Sequence, residues 1–134
     1  MTNFKLTLGR MALAIGIFCG FVSFWFTLAF TWDPDFAAVN LSDGPTHSNY
    51  HAFREALLAL AVNLLLVWVW VKATSLKAEA WTIVSFMALF YYLGWWMAWP
   101  IWGYHAPSIG AEMNHVGGTF GGLIGLFLLR PAQK

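Results

Sequence analysis

Few side chains in this sequence could hold a metal ion or move a proton: His47, His51, His105 and His115, and near them Asp43, Glu55 and Glu112. His47, His51 and Glu55 recur at i, i+4 and i+8, which puts them on one slowly drifting face of a helix, and Asn63 extends that stripe. Glu112 and His115 form Glu-x-x-His, a spacing that lets two adjacent turns reach a single ion. If the helices carrying these two groups pack together, His47, His51, Glu55, His105, Glu112 and His115 could supply a nitrogen and carboxylate site suited to iron, copper, zinc or manganese. The same residues have a plainer use at a membrane boundary, where polar side chains cap helices and pair with one another; Arg54 with Glu55 or Glu112 would be such a pair. Cys19, the only cysteine, excludes an internal disulfide, a CxxC pair and a thiolate-rich zinc site.

Four apolar stretches must position these groups. Of the 134 residues, 60% are hydrophobic and 10% charged, too apolar a mixture for a water-soluble surface. The net charge of +1 gives no basic patch for nucleic acid. The stretches cover residues 11–32, 53–71, 81–102 and 108–129, each near the ~20 residues that cross a bilayer. The expected fold class is therefore an all-α integral membrane protein, a single domain of four transmembrane helices in a bundle. Lys5 and Arg10 ahead of the first stretch imitate a secretory leader, but the apolar run is long and lacks a small-residue cleavage site, so it reads as a retained helix.

Orientation follows from the basic residues. Lys5, Arg10, Lys72, Lys77, Arg130 and Lys134 fall on one side of a four-span arrangement and Arg54 alone on the other, which places both termini and the middle loop in the cytoplasm. The histidines then lie at the outer face, and in a bacterium the membrane would be the inner, cytoplasmic one. Local signals mark the ends. Asp33-Pro34 closes the first helix, Ser42 to Pro45 reads as a turn before a cap at Thr46 or Ser48, Pro100 lies near the outer end of the third helix, and Pro107 sits in the first turn of the fourth.

Two further patterns concern packing. Gly117, Gly121 and Gly125 make overlapping Gly-x-x-x-Gly steps, with Gly118 and Gly122 beside them, a surface that lets backbones approach closely where lipid supplies no hydrophobic drive. It could pack inside the bundle or dock a helix of another protein, and two adjacent glycine rows lean toward docking. Tyr91, Tyr92, Trp95, Trp96, Trp99 and Trp102 gather near the outer end of the third helix, as an aromatic belt would, or as walls for a small flat apolar ligand.

Two functions are expected from these features. The first is a small non-catalytic subunit or accessory protein of a larger membrane complex of the bioenergetic kind, with the lipid bilayer and other membrane helices as partners. The alternative is a metal-dependent membrane oxidoreductase, using iron or copper at the outer histidine and carboxylate cluster. Transport ranks below both, since the bilayer centre lacks the charges that mark pathways.

Overall fold

A computed structural model describes residues 2–33, 47–103 and 106–132, which are all-helical. In chain order they form α1 (Asn3–Ala29), α2 (His47–Lys72), α3 (Ala78–Trp96), the short α4 (Ala98–Trp102) and α5 (Ile109–Leu128). Two of them, α1 and α2, are long and apolar enough to cross a membrane. The expected turn at Ser42 to Pro45, the Thr46 cap and His105 lie outside the described residues.

The helix ends follow local chemistry more than hydropathy. Helix α1 begins at Asn3, well ahead of the apolar run, because the Thr2 hydroxyl accepts the Lys5 N–H at 3.3 Å and satisfies one of the orphan donors of the first turn. Helix α5 begins after Pro107: extended Ser108 is its cap, and the Ser108 hydroxyl accepts from the Ala111 N–H at 3.2 Å. Pro107 thus precedes the cap and does not occupy the first turn. The expected continuous third helix is broken at Met97. Pro100 explains the break, since its ring displaces the carbonyl four residues back, on Trp96, and offers it no N–H. Gly103 closes α4 in the left-handed region at φ 72°, where glycine is unstrained.

The long helices form a ring. Helix α1 packs on α2 and, most extensively, on α5, while α3 completes the ring by touching α2 and α5 more lightly. Helices α2 and α5 therefore lie across the ring from each other. Small residues face inward: Gly9, Gly16, Gly20, Ala52, Ala56, Ala59, Ala88, Gly118, Gly122 and Gly125 are buried. Large apolar side chains face outward, among them Phe18 (69% exposed), Trp25 (67%), Phe86 (63%) and Phe127 (67%).

Cross-links fix both ends of the ring. At the end that carries the basic residues, the Trp70 indole donates to the Arg10 carbonyl at 3.0 Å, and the Arg10 Nε donates back to the Trp70 carbonyl at 3.3 Å. The Trp81 indole donates to the Leu126 carbonyl at 2.9 Å while the Arg130 guanidinium lies 5.5 Å from the Trp81 ring, within cation–π reach. At the opposite end, buried Asn49 donates to the carbonyls of Phe30 (2.9 Å) and Asp33 (3.1 Å). These carbonyls lie at and just beyond the C-terminal end of α1, so the Asn49 side chain ties the start of α2 to the end of α1.

Candidate functional site

The outer polar residues are set by three different local structures. On the first turns of α2, His47 and His51 meet each other, Nε2 to Nε2 at 2.8 Å, with their rings edge-on at 4.4 Å. One imidazole must donate and the other accept, so at least one ring in the pair is neutral. Glu55 follows one turn further along, exposed on α2 at the mouth of a groove between α2 and α3. Across the ring, Glu112 accepts the Ala106 N–H at 3.2 Å and so ties down the turn that leads into α5. His115 stacks on Trp95 with ring centroids 4.7 Å apart and planes 27° apart.

These placements separate the expected ligands. Convergence of the outer histidines depends on the second and fourth long helices packing together, and α1 and α3 stand between them. Among the described residues, no three His, Cys, Asp or Glu side chains come close enough to hold one metal ion. His105 lies outside them. What the geometry does assemble is a histidine pair on α2, a carboxylate that caps a turn, and an imidazole stacked on an indole.

A second set of polar groups touches all four long helices. Asn63 is fully buried; its amide donates to the Ala59 carbonyl at 2.8 Å, and its Oδ1, packed on Gly20, has no hydrogen-bond partner. The buried Tyr91 hydroxyl lies beside Asn63 and Ser23 without a hydrogen bond of good geometry to either. Tyr92 is 1% exposed, its hydroxyl packed on Gly122 and unpartnered. Asn114 donates to the Cys19 carbonyl at 3.1 Å, and Trp96 donates to the Thr119 hydroxyl at 2.8 Å. Much of the expected aromatic belt therefore points inward: Tyr92 is core, Trp95 covers His115, and Trp96 is bonded to α5. Trp99 remains exposed.

The glycine face is occupied by the chain itself. A Cβ at Gly125 would stand 2.6 Å from the Leu13 backbone, and one at Gly121 would stand 2.8 Å from both the Ala12 carbonyl oxygen and the Gly16 nitrogen. Gly117 faces Cys19, Gly118 faces the Trp95 ring and Gly122 faces Tyr92. This removes the main reason to expect a partner helix on that face. The counterpart on α1, Gly16-x-x-x-Gly20, has the same spacing and is legible in the sequence; Gly16 meets Gly122 and Gly20 meets Asn63. Two concave regions lie beside these polar groups. One, of about 510 Å³, lies between the outer ends of α1 and α5 and is lined in part by Ser23, Thr27, Asn114 and His115. The other is the α2–α3 groove. No protein-family model, curated protein or solved structure matches the chain.

Proposed function

We propose that the chain is an integral membrane protein of four transmembrane helices, α1, α2, the α3–α4 unit and α5, with both termini cytoplasmic. In this reading it serves as a non-catalytic subunit or accessory protein of a larger membrane complex of the bioenergetic kind. The observation that carries it is the apolar outer surface. Glycines and alanines, with Leu13, Leu66, Val69 and Tyr92, fill the helix contacts while many Phe, Trp, Leu and Ile side chains face out, which suits lipid and neighbouring helices and would leave a soluble protein with an unsustainable apolar surface. The Arg–Trp links at the basic end add support, since such side chains settle at a membrane boundary. Among the described residues, the spacing of the histidines and carboxylates favours the subunit over the metal-dependent oxidoreductase, whose chemistry needs at least three ligands around one ion.

Two experiments test the reading. Topology reporters fused after Lys134 or within residues 72–80 should report the cytoplasm, and one within residues 36–40 the outside; an external C-terminus would overturn the orientation. Protein purified from membranes in mild detergent should carry no stoichiometric iron, copper or zinc. Metal at one ion per chain, reduced by His51→Ala, Glu112→Ala and His115→Ala alike, would instead establish the oxidoreductase.

A further inference from the structure

The glycines of α1 and α5 that lie in the helix contacts meet a neighbour that a Cβ would strike, but Gly94, in the last turn of α3, meets nothing within 4 Å. A glycine inside a helix costs about 1 kcal/mol relative to alanine, and here no packing in the chain accounts for it. Gly94 lines the groove between α2 and α3, with Leu58, Phe86, Phe90, Tyr91 and Trp95 on the walls and Glu55 at the outer mouth. The groove encloses about 320 Å³, at the small end of the roughly 300–1,000 Å³ typical of ligand sites. Its length, from Glu55 to Val62, is seven residues of helix, or about 10 Å.

We propose that this groove binds a flat, hydroxylated ring from the lipid phase, its hydroxyl donating to Glu55, one face against the rings of Phe86, Phe90 and Tyr91 on α3 and the other against Leu58, Ala59 and Val62 on α2. Three features specify that chemistry. The α3 wall is aromatic: the Phe86 and Phe90 rings lie 4.9 Å apart, and the Tyr91 and Trp95 rings 5.0 Å apart. Rings of this kind take planar ligands in offset or edge-on contact. Among the described residues Glu55 is the only charged side chain in the lining, and a carboxylate accepts a hydroxyl hydrogen bond with added strength. Gly94 keeps the wall free of a side chain at the level of the carboxylate. The groove is open on one side, so a hydrocarbon tail would run out into lipid.

The inference rests on the membrane reading, and one experiment separates the two. The full chain in phosphatidylcholine nanodiscs is titrated with two radiolabelled probes, a short-tailed benzohydroquinone and cholesterol, to distinguish an electron-carrier source of the ring from a sterol source. Saturable binding of at least one probe is expected, weakened tenfold or more by Gly94→Leu and at least threefold by Glu55→Gln, with neither variant melting earlier than the parent. If Gly94→Leu fails to fold, Glu55→Gln alone decides. No saturable binding of either probe, or binding that both variants leave unchanged, would overturn the groove assignment. Release of the protein from membranes by alkaline carbonate would instead overturn the membrane reading, whatever the probes do.

Discussion

Gly16→Leu should leave little folded protein after detergent extraction. A Cβ at Gly16 would lie 2.6 Å from the Gly122 Cα and 3.0 Å from the Gly121 carbonyl carbon. These are backbone atoms, so no rotamer change relieves the clash, and α1 and α5 would have to separate along their whole contact. Overpacking a tight interior costs about 1–3 kcal/mol, and a leucine against backbone belongs at or beyond the top of that range. Against a total stability of roughly 5–15 kcal/mol, the melting temperature should fall by many degrees. Gly121→Leu and Gly125→Leu should behave alike, since each meets α1 backbone. Gly94→Ala is the control: its Cβ meets nothing, and alanine should stabilise α3 by up to about 1 kcal/mol. Thermal unfolding followed by circular dichroism reads all four. A Gly16→Leu protein with parental melting would mean that α1 and α5 do not approach as closely as described.

Tyr92 gives the second large effect, and its two variants should diverge. Among the described residues Tyr92 is the largest fully buried side chain, and it packs on Gly122. Truncation to alanine opens a cavity between α3 and α5 and forfeits dispersion contacts, at a cost of about 2 kcal/mol or more. Removing only the hydroxyl should do the opposite. That oxygen is buried without a hydrogen-bond partner, so Tyr92→Phe relieves an unsatisfied polar group and should be neutral or stabilising. Equal destabilisation by both variants, measured in the same melts, would show that the hydroxyl has a partner after all.

The helices were legible in the sequence because apolar runs, capping hydroxyls and prolines act locally. The ends were less exact: α5 starts at a Ser108 cap, one residue after the proline expected in its first turn, and α1 stops at Ala29, ahead of Asp33-Pro34. The break at Met97 was harder to read, since Pro100 acts on a carbonyl a full turn earlier. The order of helices around the ring was not legible at all. Four helices of similar apolarity can be arranged in several ways, and the glycine rows announce close contact without naming the partner. That ambiguity made the Gly117 to Gly125 face look available for docking when Leu13, Gly16 and Tyr92 fill it. Pairing Gly16-x-x-x-Gly20 with the glycines of α5 would have resolved it, because α1 then lies beside α5.

The apparent mass of the tagged chain, extracted from its native membranes in a mild detergent and resolved by native electrophoresis, tests the central claim most directly. The chain alone has a mass of 15.1 kDa. As a subunit of a larger complex it should migrate, after allowance for bound detergent, in one assembly several times that mass, with the same partner polypeptides in fixed ratio in repeated preparations. A folded chain that migrates at its own mass, and whose own mass accounts for all of it in intact membranes after cross-linking, would contradict the subunit reading.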